Sequence, residues 1–126
     1  MSGERLERGR ALLAQLDPGN EDMLRQAFEG VAPDMLGYVL EYPFGDVYSR
    51  PGLDLRSRLL VTLSAVATLG YAQPQLKAHI RNALNIGITR EEIAEVFIQL
   101  SVYAGFPAAL NALASAKEVF RQMDGL

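Results

Sequence analysis

The sequence has 126 residues, 49% of them hydrophobic, 21% charged, with a net charge of -3 and no cysteine. A chain of this size and apolar content is expected to form one domain spanning residues 1–126 that buries about two-thirds of its unfolded surface, and it is too hydrophobic to stay disordered. The charge balance gives no electrostatic basis for binding nucleic acid or an anionic membrane, and without cysteine disulfides, thiol catalysis and thiolate metal sites are excluded.

The absence of thiols fits a cytoplasmic protein. The first residues, MSGERLERGRALL, are charged and amphipathic and hold no apolar segment of the kind a secretory signal needs. The longest apolar stretch, 59–72, is interrupted by Thr62, Ser64 and Thr68 and is too short to cross a bilayer.

Residues 3–16 are predicted as a first helix, with Leu6, Leu13 and Leu16 on one stripe. Asp17-Pro18-Gly19-Asn20 is a strong helix breaker. A second helix is expected from about Asn20, its apolar stripe running from Met23 through Leu24, Ala27 and Phe28 to Val31. Pro33 suits the first turn of a third helix carrying Met35, Tyr38, Val39 and Tyr42, and Pro43 is expected to end it or to follow closely after its end. The next segment, 44–53, is predicted as a loop, and its large side chains Phe44, Val47 and Tyr48 predict that it packs down.

Asp54 is a good N-cap for a fourth helix, which Gly70 would end. Pro74 opens a fifth helix whose apolar stripe is Leu76, Ile80, Ala83 and Leu84. The segment TREEIAEVFIQLSVYAGFPAALNA, 89–112, then organises the chain. Thr89 and Glu92 form a capping box, and the run that follows is apolar on nearly every side, as in a buried helix. Glu95 and Gln99 lie one turn apart inside this run. Gly105 and Pro107 are expected to divide it from a seventh helix rich in small residues. No stretch alternates with the period of a strand, so the predicted class is all-α.

A few residue types bear on chemistry. His79, the only histidine, borders the apolar stripe of the fifth helix; it is either a partly buried histidine with one hydrogen bond or a general acid/base. Arg58 is either a solvated surface cation or a fork for a substrate carboxylate, and Arg56 and Arg50 compete for that role on periodicity alone. Glu95 and Gln99, predicted to lie in a dry interior, must meet polar partners there. Tyr48 and Tyr103 are ordinary core or rim residues by pattern, and the Thr62, Ser64, Thr68 series is expected to bond back to its own helix. One histidine and no cysteine leave no metal-ligand cluster, and no nucleotide-binding loop is present.

Three segments, FGDVYSRPGLDLRSRLLVTL (44–63), LKAHIRNALNIGITREEIAEV (76–96) and YAGFPAALNA (103–112), resemble the carboxymuconolactone decarboxylase family in order and spacing. The resemblance covers roughly residues 20–122. It implies the all-helical alkylhydroperoxidase D-like fold, an orthogonal bundle of six to seven helices. It also implies a homo-oligomer, trimer or hexamer, with sites near subunit interfaces. The family's peroxidase branch carries a cysteine pair ahead of the histidine; those positions fall here at Ala72 and Gln75, so thiol-dependent peroxide reduction is excluded. The resemblance to the decarboxylase branch implies site roles for Arg50, Arg58, His79, Glu95 and Tyr103. One departure bears on the substrate: 71–75 reads Tyr-Ala-Gln-Pro-Gln, where the decarboxylases usually carry a charged pair.

The implied reaction is decarboxylation of a carboxylated lactone of the 4-carboxymuconolactone type, as in aromatic catabolism. It needs no cofactor, because the lactone carbonyl is the electron sink. Arg58, with Arg50, would hold the carboxylate, and Gln99 and Tyr103 would line the pocket. His79 would deliver the proton, with Glu95 fixing its tautomer, and the loop around Tyr48 would close over the ring. Two alternatives are another cofactor-free lactone enzyme (hydrolase, isomerase or cyclase) on the same scaffold and a non-catalytic oligomeric binding protein.

Overall fold

A computed structural model describes residues 2–126. Among the described residues there are seven α-helices, one π-helical segment and no strand. The contacts group these elements into two compact units, one up to Leu55 and one from Arg56 on, and each is described by itself.

The first unit contains α1 (Ser2–Leu16), α2 (Asn20–Phe28), α3 (Met35–Val39) and a π segment (Leu40–Val47). The predicted break at 17–20 is an Asx turn, the Asp17 carboxylate accepting from the Gly19 N–H at 2.9 Å. Helix α2 ends at Phe28, earlier than its apolar pattern suggested, and Val31 is left exposed. The third helix does not stop at Pro43, and 44–47 is not a loop. The chain runs on through Pro43 as a π segment to Val47, and the Tyr48 N–H closes a wide turn on the Pro43 carbonyl at 2.8 Å. A proline inside an α-helix clashes with the carbonyl four residues back and donates nothing. Widening the turn relieves that conflict without ending the helix. Phe44 is buried and stacks on Tyr48 with ring centroids 5.1 Å apart, so the segment does pack down as its side chains indicated.

Helix α1 lies directly against the π segment. Two glycines allow this: a Cβ at Gly9 would sit 1.8 Å from the Leu40 carbonyl oxygen, and one at Gly45 would sit 2.5 Å from that of Arg5. Around this contact the Arg5 guanidinium meets Asp46 at 2.7 Å and Glu41 at 3.3 Å, and Arg8 Nε donates to the Gly45 carbonyl at 2.7 Å.

The second unit holds α4 (Leu55–Leu69), α5 (Gln73–Asn85), α6 (Arg90–Ala104) and α7 (Phe106–Met123). Gly70 follows α4 with φ +80°, the left-handed conformation that ends a helix readily at glycine. Pro74 lies in the first turn of α5, where a missing N–H is harmless. The capping box is made in full: Glu92 N–H donates to Thr89 Oγ1 at 3.1 Å, and Thr89 N–H donates to Glu92 Oε1 at 3.0 Å. Gly105, at φ +91°, separates α6 from α7. Helix α7 packs against both α5 and α6, presenting Ala108, Ala109, Ala112, Ser115, Ala116 and Val119 as its buried face. Such small side chains let helix backbones approach closely. No helix among the described residues is long and apolar enough to cross a membrane.

Candidate functional site

Helix α5 carries His79 among buried residues. Leu76, Ile80 and Ala83 are fully enclosed around it, while the histidine itself is half-buried. Its Nδ1 is buried and has no hydrogen-bond partner, so the single hydrogen bond expected for a core histidine is not made. Burial lowers the pKa of the imidazole from its ordinary 6.5, because the charged form loses hydration that nothing replaces. Lys77, two residues earlier, is engaged with Glu118 of α7 at 2.5 Å.

This shift has a consequence for stability. The unfolded chain binds a proton at His79 near 6.5, whereas the folded chain does so only at lower pH. Protons therefore favour the unfolded state as pH falls from above 6.5 towards the folded-state value, and stability is lost over that window. Denaturant melts at a series of pH values should show this decline, and His79→Leu should flatten it. An unchanged slope in His79→Leu would assign the decline to other groups.

Helix α4 carries two of the three competing arginines, and burial separates them. Arg58 is half-buried, near the start of the helix, with Thr62 Oγ1 donating to its carbonyl at 2.8 Å. Arg56 is exposed and forms an ion pair with Glu92. The third, Arg50, is exposed in the first unit just beyond the π segment, with Tyr48 half-buried two residues before it. The back-bonding expected along α4 is present at Thr62 and again at Thr68, whose hydroxyl donates to the Ser64 carbonyl at 2.8 Å.

Helix α6 is not buried on all sides. Ile93, Phe97 and Leu100 form its enclosed face, but Ile98 is 54%, Val102 74% and Tyr103 86% exposed. Glu95 and Gln99 are exposed too, so they do not stand in a dry interior. Nor does Glu95 bond His79 Nδ1, which has no partner within the chain. The apolar surface that suggested a buried helix has nothing over it in a single copy.

Glu95, Gln99 and Tyr103 instead line two adjoining open grooves between α4 and α6. One is bounded by Leu60, Glu91, Glu92, Glu95, Val96, Ile98 and Gln99. The other, about 290 Å³, runs between Leu60, Val61, Ser64 and Thr68 on one side and Val96, Gln99, Leu100 and Tyr103 on the other. Arg58 and His79 are not among the residues lining these grooves. Leu60, Ser64 and Thr68 line these grooves as well, and their spacing of four puts them on one face of α4. Among the described residues no group of histidine, aspartate or glutamate side chains is placed to hold a metal ion.

The family model for the carboxymuconolactone decarboxylase family matches residues 33–118, from just before α3 through most of α7. The chain belongs to this family. It is 37% identical over 120 residues to an uncharacterized 15.0 kDa protein of Paracoccus denitrificans, covering 94% of this chain and 90% of that protein. It is 37% identical over 90 residues to a 4-carboxymuconolactone decarboxylase of Acinetobacter baylyi, covering 71% of this chain and 66% of that enzyme. It is also 34% identical over 104 residues to a nitrosuccinic acid decarboxylase of Metarhizium robertsii, covering 82% of this chain and 71% of that protein. Within the carboxymuconolactone decarboxylase family this member stands apart from thiol chemistry, since its sequence has no cysteine.

Proposed function

We propose that this carboxymuconolactone decarboxylase family member is a carboxy-lyase acting without a cofactor on a carboxylated lactone of the 4-carboxymuconolactone type. The observation that carries this reading is the similarity to two relatives named as decarboxylases. The residues present suit the reaction. A half-buried arginine, Arg58, offers a planar fork to a carboxylate and loses less by desolvation there than a lysine would. His79, the only histidine, has one face towards solvent and supplies a group for the reacting centre. The lactone carbonyl, in conjugation with the carbon that loses CO₂, accepts the electron pair, so the protein needs to orient the acid and stabilise developing negative charge.

The test is incubation of the purified protein with 4-carboxymuconolactone, and separately with nitrosuccinic acid, following CO₂ release. Turnover of the lactone well above the spontaneous rate supports the assignment. Turnover of nitrosuccinic acid alone would move it to a different carboxylate, and turnover of neither would overturn it.

The working unit is proposed to be a homo-oligomer, a trimer or a hexamer. Ile98 and Val102, one turn apart on α6, and Phe106 and Leu110, one turn apart on α7, are all exposed. A soluble monomer rarely leaves so many large apolar side chains on neighbouring helices uncovered. A second copy over the exposed face of α6 would also enclose Glu95, Gln99 and Tyr103. Sedimentation at micromolar concentration is expected to give a multiple of 13.8 kDa, and Val102→Asp to shift it towards the monomer. A clean monomer for the unaltered protein would refute the assembly.

A further inference from the structure

The state of the His79 ring decides what it can do in this reaction, and the inference rests on the decarboxylase reading above. Of the two ring nitrogens, Nδ1 is the one buried without a hydrogen-bond partner, so the half-buried ring meets solvent on its Nε2 side. A proton on Nδ1 would be a buried donor with no acceptor, which is the costly kind of unsatisfied group. A proton on Nε2 stays hydrated or reaches a ligand. The imidazolium needs both protons and therefore always carries the buried orphan. The enclosed neighbours on α5 are Leu76, Ile80, Asn82 and Ala83, and neither the Asn82 amide nor any other group bonds Nδ1. On α7, which packs against α5, Glu118 is engaged with Lys77.

We infer that His79 works as a neutral Nε2–H hydrogen-bond donor to the oxygen on which charge develops, and that the proton placed on carbon comes from water. In the first step the bond between the ring carbon and the carboxylate breaks. Its electron pair moves through the alkene onto the lactone carbonyl oxygen, CO₂ leaves, and the oxyanion accepts a hydrogen bond from His79 Nε2–H. In the second step the dienolate returns its electron pair to carbon, which takes a proton from water. The hydroxide so formed adds to CO₂ as bicarbonate. Carboxylate and water thus become the decarboxylated lactone and bicarbonate, and His79 ends as it began. A neutral imidazole has no proton to spare at neutral pH without becoming imidazolate, so transfer from His79 itself does not enter.

Two variants separate this role from that of a proton donor. Glutamine retains an amide N–H donor near the position of Nε2 but cannot act as an acid at neutral pH, whereas alanine retains nothing. His79→Gln is expected to keep kcat within about ten-fold of the parent, and His79→Ala to lose roughly 10²–10³-fold, the usual cost of one oxyanion donor. If His79→Gln, folded by circular dichroism and of unaltered oligomeric state, is as impaired as His79→Ala, the inference is overturned. Nitrogen-15 spectra of the imidazole provide a second measurement that needs no turnover and is unambiguous in a protein with one histidine. They are expected to show the neutral Nε2–H tautomer at pH 7, and an imidazolium or an Nδ1–H tautomer would overturn the inference. Should neither candidate acid be decarboxylated, the functional assignment fails while the tautomer is still decided by the spectra.

Discussion

Gly9→Ala is expected to lower the melting temperature by on the order of 10 °C, through a cost of about 2–3 kcal/mol. The added methyl would stand 1.8 Å from the Leu40 carbonyl oxygen and 3.1 Å from the Gly45 nitrogen. Both are backbone atoms and cannot swing aside as a side chain would. Relief requires α1 to move off the π segment, and the contacts beside the crossing would go with it. These are the Arg5–Asp46 fork at 2.7 Å and the Arg8 bond to the Gly45 carbonyl at 2.7 Å. Alanine is otherwise favoured over glycine within a helix by roughly 0.5–1 kcal/mol, so the variant loses stability against its intrinsic preference. Gly3→Ala is the control, because a Cβ there meets nothing within 4 Å. Thermal melts of the two proteins should therefore shift in opposite directions or differ widely. Equal melting temperatures would show that α1 and the π segment are not in this close contact.

Arg58→Lys should lower kcat/KM for a carboxylated lactone by roughly 10- to 150-fold, mainly through KM. That range corresponds to about 1.5–3 kcal/mol for a charge-assisted hydrogen bond. Lysine keeps the charge but has no planar fork, so it cannot reproduce a two-point grip on a carboxylate. Arg58 is half-buried, where water competes less for such a grip. Arg56 lies two residues earlier on the same helix, is exposed, and is paired with Glu92. Arg56→Lys can re-form a surface pair worth little either way, and it should leave the kinetics near those of the parent. Steady-state measurement of the two variants side by side checks the assignment. If they behave alike, Arg58 does not hold the carboxylate.

The helical class, the capping box at Thr89 and Glu92, the division at Gly105 and the absence of thiol chemistry are all legible in the residue order. Each of these depends on neighbours close along the chain or on composition, and local rules act at that range. The family resemblance was legible for the same reason, as blocks of residues in order. Tertiary structure decided the rest. Pro43 stops an α-helix but not a π turn, and the wider turn is held where Gly9 lets α1 lie against Leu40, a contact between residues distant in sequence. Helical periodicity places Arg56 and Arg58 on different sides of α4, but only packing left the one exposed and the other half-buried. An all-round apolar α6 reads as a buried helix whether its cover comes from this chain or from another copy. The pattern therefore places Glu95 and Gln99 inside, whereas the fold puts them on an open groove. The unpartnered Nδ1 of His79 has no signature in the sequence, because a missing hydrogen bond depends on every group around the ring and not on the residues beside it in the chain.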